Sequence, residues 1–472
     1  MRKKTKIGIT IATLFAVLIF SGFGCKDKAV SYDMTLEVWG VFDDSDAFTE
    51  IISAYRDANP NIKEVRYRKF TPESYKKDLL DALASGEGPD VFMIHNTWLP
   101  SFQDKIVASP DTLVGEQEFR ANFVDVAAND FLRDDAVYAV PLSVDSLALY
   151  YNRDLLNAAG IVTPPTTWDG FNEAVKKLTR IDQFGAITQS GAALGAAYNI
   201  NRSTDILALL MLQGGAAMTD RDHVRATFTD PVTVGSNTQT PGVTGLTFYT
   251  QFARSTSSLY AWNKRQHYSL DAFYEGTTAM MINYSWHYDT IRRKNEKLNF
   301  AVAALPQITQ NSPVNYANYW GFAVAKNKTL PTFDPSTAQR GAIPITDDMR
   351  LFEAWQFLRF LSLKHDGDQM TITNAATSAQ KAIALPFDPA ENYLQNTKKS
   401  AARRDLLEQQ KKDPVLGPFA TGNLIARSWY QTDPEATEAI LAEAIDAVNN
   451  GTLAPQEALS IAQTRVSQLM RK

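Results

Sequence analysis

From residue 34 the apolar positions recur with one period and then another. In "TLEVWG" Leu36, Val38 and Gly40 alternate with Glu37 and Trp39, the period of two that a strand requires. Phe48, Ile51, Ile52 and Tyr55 then fall at the i, i+3, i+4, i+7 spacing of one helix face, and Asn59 and Pro60 end it. "KEVRYRKF" alternates again. "TPESYKKDLLDALASG" reads as a helix with Thr71 as cap, Pro72 at its first position and Gly86 past its end, and "DVFMIH" is a third strand. Strand, helix, strand, helix, strand over some sixty residues requires a parallel sheet, because each helix returns the chain to the same sheet end. Ligands in such sheets bind beyond the carboxyl ends of the strands, which here carry "GVFDDS" at 40–45 and "HNTWLP" at 95–100.

A second α/β region follows. In "PLSVDSLALYYNRDLL", residues 141–156, Leu147, Leu149 and Tyr151 share one face of an extended segment and Ala148 and Tyr150 the other, while Asn152 can cap a helix opening at Arg153. Thr167 caps a helix whose buried stripe is Trp168, Phe171, Val175 and Leu178. "STDILALLMLQGG" is a buried helix ended by Gly214 and Gly215, and "AFYEGTTAMMINYSW" a helix, a Gly276 terminator and a strand emerging at Trp286. "LNFAVAALP" and "YWGFAVAKN" are further strands; "MRLFEAWQFLRFLSL" is a helix with Leu351, Ala354, Trp355, Leu358 and Leu361 on one side. Residues 327–346 and 386–428, rich in Pro, Gly, Thr and charge, are expected to form long loops or insertions. No fixed-period repeat is visible.

At the start, "MRKKTK" carries four cations, residues 7–24 are apolar or small, and Ser21, Gly22 and Gly24 precede Cys25. That pattern predicts a cleaved export signal over 1–24 rather than a spanning helix, which needs about 20 apolar residues. Cys25 is the one cysteine in 472 residues, which excludes an internal disulfide or a thiolate metal cluster. It resembles the lipid-bearing cysteine of bacterial lipoproteins, although Gly22 stands where a leucine is common, and residues 25–33 then form a lipid-attached tether. Net charge is −5, with no basic stripe interleaved with aromatics, and "RRKNEK" at 292–297 reads as a solvated helix end; nucleic acid is not an expected partner. At this length, with 44% hydrophobic residues, the chain divides into two or more domains.

Six stretches in this order, "LEVWG…AFTEIISAYRDANPNIKEV", "GPDVFMIHNTW", "PLSVDSLALYYNRDLLNAAGI", "PPTTWDGFNEAVKKLT", "FYEGTTAMMINYSW" and "EAWQFLRFLS", resemble the extracellular solute-binding proteins (family 1) of ATP-driven (ABC) importers, in the branch that includes maltose-binding protein. The resemblance covers most of the chain after the leader. It implies an α/β, two-lobed periplasmic-binding-protein type II fold, with an interlobe cleft and a hinge. Crossings are then expected near Leu142, Leu305 and Ile383, with lobe 1 comprising 34–141 plus 307–381 and lobe 2 comprising 142–306 plus 382–472. It further implies a monomeric, non-enzymatic, extracytoplasmic protein, lipid-anchored to the bacterial membrane and without cofactor or metal, that captures a sugar or oligosaccharide and delivers it to permease subunits.

A sugar presents hydroxyls around weakly apolar faces, so its site needs planar aromatics and hydrogen-bonding carboxylates or amides. Trp98 and Trp286 follow strands; Tyr319 and Trp320 open one; Trp429 lies in "ARSWY", near an aromatic that maltose-type binders carry. Trp39 and Trp355, on strand and helix faces, are expected in the core. Asp43 and Asp44 open the first helix, where a cap or helix-dipole role would also explain them. The resemblance sets that loop, Asn96 and Asp145 against the solute, with a glutamate in the maltose binder where Asp145 stands. A glycosidase would also place carboxylates beside aromatics, but no acid and base stand out, HExxH, GxSxG and a phosphate loop are missing, and His95, His223, His267, His287 and His365 lack metal-ligand spacing. Tyr150 and Tyr151 point to opposite faces of a strand and do not ligate one metal together. Polyamine, peptide and phosphoester solutes stay open, since acids and aromatics also hold cations.

Overall fold

The computed structural model describes residues 32–234, 236–336 and 342–471. The export signal and Cys25 lie outside these residues. Tyr32, expected within the tether, is buried, with its hydroxyl bonded to Glu353 and accepting from the Ala375 amide at 3.0 Å, and so belongs to the folded body.

Alternation makes Met34–Val41, Ile62–Phe70 and Val91–His95 strands, paired in parallel with Met34–Val41 in the middle. Trp320–Ala325 joins antiparallel to Val91–His95, opposing Trp320 to His95, and Ile106–Val107 closes that side. Between the parallel strands run the helices Thr49–Ala58, entered through a 3-10 turn at Ser45–Phe48, and Pro72–Ser85, ended by Gly86 in the left-handed conformation (φ 77°). Ile51, Tyr55, Tyr75 and Leu79 are wholly buried on the sheet, each such side chain contributing about 1.5–3 kcal/mol.

The second sheet is antiparallel and three-stranded, with Ala148–Asn152 between Met280–Asn283 and Phe300–Ala303. Its two faces feed two separate clusters. Leu147 and Leu149 enter one with the buried helix Ser203–Gln213 and the helix Pro434–Asn449; Ala148 and Tyr150 enter another with Phe273, Met281 and Phe300. Asn152 caps the following helix, accepting from the Asp154 and Leu155 amides at 3.0 and 3.1 Å, and Thr167 caps the next from Gly170.

Among the described residues the chain passes between the first core and the second in three places. Val144 packs in the first core and Leu147 in the second; Tyr316 packs in the second and Ala317 in the first; Ala426 packs in the first and Trp429 in the second. Asn315–Tyr316 pairs in parallel with Ala426–Arg427, and Ser146 bridges to Ala317, so the crossings lie side by side at a waist. The second crossing thus lies beyond Leu305, and the third lies near 427 rather than at Ile383. Residues 386–428 are corrected further: they hold the helices Pro389–Thr397, Arg404–Gln410 and Gly417–Asn423, and Tyr393, Leu394, Leu406, Leu407 and Ala420 bury in the first core, while Phe419 packs beside Tyr150 on the second sheet. The first of these helices carried a readable signal, Asp388 capping the Glu391 amide before Pro389.

Candidate functional site

Beside the waist a cavity of about 790 Å³ opens between the two cores, within the ~300–1,000 Å³ common for small-molecule sites. Strand ends and the loops after them build its walls, because the backbone there is free to turn side chains outward.

The first-lobe wall is aromatic. Trp320, at the start of its strand, meets Trp98 edge to face at 4.9 Å and Phe42 at 5.6 Å; Trp98 stacks behind on Phe102 at 5.3 Å and an 11° interplanar angle. His95 ends the neighbouring strand. Burial pushes its imidazole down to about 4, so it is neutral at pH 7, and its partners fix the tautomer: Nε2–H donates to Asn318 Oδ1 at 3.2 Å and Nδ1 accepts from Thr97 Oγ1 at 2.7 Å.

The waist contributes Asp145, whose Oδ1 accepts from the Ser146 amide at 2.9 Å and whose Oδ2 accepts from the Ser285 amide and hydroxyl. Burial still pushes this carboxyl up to about 7, against those hydrogen bonds.

On the second-lobe wall Trp286 remains 40% exposed and stacks at 4.5 Å on the buried ring of Tyr284. The Tyr284 hydroxyl donates to Asp205 Oδ2 at 2.8 Å, and burial raises the Asp205 carboxyl. Arg202 stands at the head of the helix Ser203–Gln213, and Glu438, also raised by burial, faces the cavity from Pro434–Asn449.

Of the residues expected at the site, Asp43, Trp98, Asp145, Trp286, Tyr319, Trp320 and Trp429 line this cavity. Their availability differs. Asp43 is held by Lys399 Nζ at 2.6 and 2.7 Å and by the Tyr393 hydroxyl at 2.8 Å, so it is neither a cap nor a free acceptor. The Tyr319 hydroxyl donates to Asp130 at 2.7 Å. Trp429 is 7% exposed, set edge-on to Phe228. Asp44 lies outside the lining: at the surface it pairs with Lys69 at 2.9 Å. Asn96 is also outside it, donating to Asp130 at 3.0 Å and facing a smaller cavity of about 420 Å³ on the other side of Thr97, Trp429 and Gln431. Trp39 and Trp355 are core residues, as expected.

Sequence reasoning missed Arg202, Asp205, Glu438, His95 as a wall residue, and Asn318. Their one shared signal is position at a strand or helix end, which too many residues satisfy to be selective. Asp130 was missed as well. It joins the helix Asp125–Phe131 to the third crossing by accepting from Ser428 and Tyr319, and burial pushes it up to about 6.

Flat rings on both walls, with buried carboxylates and amides between them, suit a ligand that has apolar faces and hydroxyl edges. Residues 39–364 match the family model described as bacterial extracellular solute-binding protein. The chain is 23% identical over 385 residues to a binding protein of Brucella abortus (strain 2308), covering 78% of this chain and 80% of that one. It is 22% identical to the maltotriose-binding protein of Pyrococcus abyssi (strain GE5 / Orsay), covering 79% and 67%. In fold it is similar to the crystal structure of the cyclic alpha-maltosyl-1,6-maltose binding protein from Arthrobacter globiformis, with a TM-score of 0.70 at 16% identity, over 93% of this chain and 99% of that one.

Proposed function

This chain belongs to the bacterial extracellular solute-binding protein family, and from that premise we propose that it captures a sugar or oligosaccharide between its lobes and presents it to the permease of an ATP-driven importer. The observation that carries the reading is the interlobe cavity of about 790 Å³, with Trp98 and Trp320 on one wall, Trp286 on the other and Asp145 at the waist. Each ring that stacks on a sugar face adds on the order of 0.5–1.5 kcal/mol beyond its buried area. A few such contacts with paired hydrogen bonds reach micromolar affinity, about −8 kcal/mol.

Three side-by-side crossings let the lobes rotate about a few residues, and only a solute touching both walls favours the closed state. The protein acts as a monomer without catalysis. Its leader, residues 1–24, directs export, and acylation of Cys25 holds the folded body at the membrane. Among the described residues no helix is long and apolar enough to cross a membrane. The cavity-lining candidates Asp43, Trp98, Asp145, Trp286, Tyr319, Trp320 and Trp429 form the binding surface in this reading, with the exposed Trp286 ring as the principal platform.

Thermal-shift screening against neutral sugars, amines, peptides and phosphoesters tests it, since a ligand that binds only the folded state raises its stability with occupancy. A shift with saccharides alone is expected. A shift with amines or peptides alone, or hydrolysis of a glycoside by the purified protein, overturns it.

A further inference from the structure

Arg202 has three properties that the fold itself does not use. Its backbone is left-handed, φ 61°, a conformation that costs a non-glycine residue on the order of 1–3 kcal/mol and persists where surroundings or function hold it. Its Nε is buried without a hydrogen-bond partner. Its guanidinium stands 5.6 Å from the centre of the Trp286 ring and 5.9 Å from that of Tyr284, in the field of Asp205 and Glu438, yet closes to an ion pair with neither. An arginine held in this way lines the cavity beside an exposed indole, where its terminal nitrogens can meet an acceptor from outside the chain.

The neighbours restrict what that acceptor is. A guanidinium only donates, in a planar fork that spans two oxygens; an ionised carboxylate only accepts. Carboxylate- or phosphate-bearing ligands would satisfy Arg202 but meet Asp205 and Glu438 with like charge. A polyamine would satisfy the acids and meet Arg202. Hydroxyls answer both, accepting from the fork while donating to the carboxylates. We propose that Arg202, framed by Asp205 and Glu438 beside the Trp286 ring, reads adjacent hydroxyls of a neutral saccharide and is the specificity-determining residue of the second-lobe wall. This inference rests on the sugar-binding reading of the cleft and narrows it to uncharged sugars.

The test is calorimetric titration of the purified protein, as wild type, Arg202→Gln and Arg202→Lys, with neutral di- to tetrasaccharides, the corresponding uronic-acid oligosaccharides and spermidine. Wild type is expected to bind a neutral saccharide in preference to its acidic counterpart and to spermidine. Arg202→Gln is expected to lose at least tenfold in affinity, about 1.4 kcal/mol, at unchanged or higher Tm. Arg202→Lys is expected to recover only part of the loss, since an ammonium lacks the planar fork. Wild-type affinity in Arg202→Gln, or preference of the wild type for the uronic acids, overturns the inference and leaves the importer reading in place, whereas preference for spermidine overturns both. Failure of every saccharide to bind the wild type sinks that reading itself, and this inference with it.

Discussion

Asp145 Oδ2 accepts two hydrogen bonds from Ser285, one from its amide at 2.8 Å and one from its hydroxyl at 2.6 Å, and so ties the first crossing to the loop that carries Trp286. The residue expected as a ligand contact is also the clasp that sets the second-lobe platform at the waist.

This clasp has a pH signature. The buried Asp145 carboxyl is pushed up to about 7, whereas an unfolded aspartate titrates near ~3.9. Between these values the folded state keeps a proton that the unfolded state has released, so this group's contribution to stability falls as pH rises through the window and is lowest above 7. His95 and His287, both pushed down to about 4 by burial, act in the opposite sense between their folded and unfolded values, so a difference measurement is needed. Asp145→Asn is expected to be destabilised relative to wild type at pH 5 and less so, or not at all, at pH 8, by urea unfolding. An equal offset at both pH values counts against the assignment.

The tryptophans separate by exposure. Trp286→Ala, at a ring 40% exposed, is expected to lower solute affinity about tenfold while costing only about 1 kcal/mol of stability. Trp98→Ala removes a ring 8% exposed and packed on Phe102 and Trp320, and is expected to cost about 3–5 kcal/mol. Denaturant curves alongside titrations check both, and the assignments fail if the two variants behave alike.

Lys76 Nζ, on the first lobe, bonds Glu435 Oε1, on the second, at 3.2 Å across the cleft mouth. Because both side chains are substantially exposed, their coupling is expected to be below about 1 kcal/mol in a double-mutant cycle. Lys76→Glu is expected to weaken solute binding a few-fold at low salt by opposing closure, with Glu435→Lys restoring it in combination. Salt-independent affinities in all three variants would remove the pair from the closure step.

Gly422 sits where the crossings meet. A Cβ there would lie 2.4 Å from Asn315 Nδ2 and 2.5 Å from Ser146 Oγ, and Asn315 Nδ2 donates to the Leu147 carbonyl at 2.8 Å. Gly422→Ala is expected to cost about 1–3 kcal/mol through this overpacking and to change solute affinity as well, since the shifted groups belong to the hinge. A variant with unaltered Tm and affinity would show that the waist yields freely.

The sequence by itself determined what repeats locally. A period of two gave the strand at 147–151 and correctly divided Leu147 and Leu149 from Ala148 and Tyr150, because alternate side chains must enter different cores. Asn152 and Thr167 were legible as caps, since a short acceptor before a helix has unpaired amides within reach. That Trp98, Trp286 and Trp320 would line a cavity was legible for a similar reason: strand ends are where α/β sheets open their clefts.

Tertiary structure alone decided where the chain crosses and which polar groups stay free. Asp43 was bound to look available until Lys399, 356 residues away, folded onto it, and Asn96 until Asp130 did. Short helices between 386 and 428 carry too little periodicity to reveal which lobe buries them. Arg202 followed the opposite course: no local pattern marks an arginine ahead of a buried helix, and only the closed packing around it leaves its Nε without a partner. Periodicity and capping act over a few residues, whereas desolvation and charge pairing depend on what arrives from distant parts of the chain, so the first are written in order along the sequence and the second exist only once the lobes have formed.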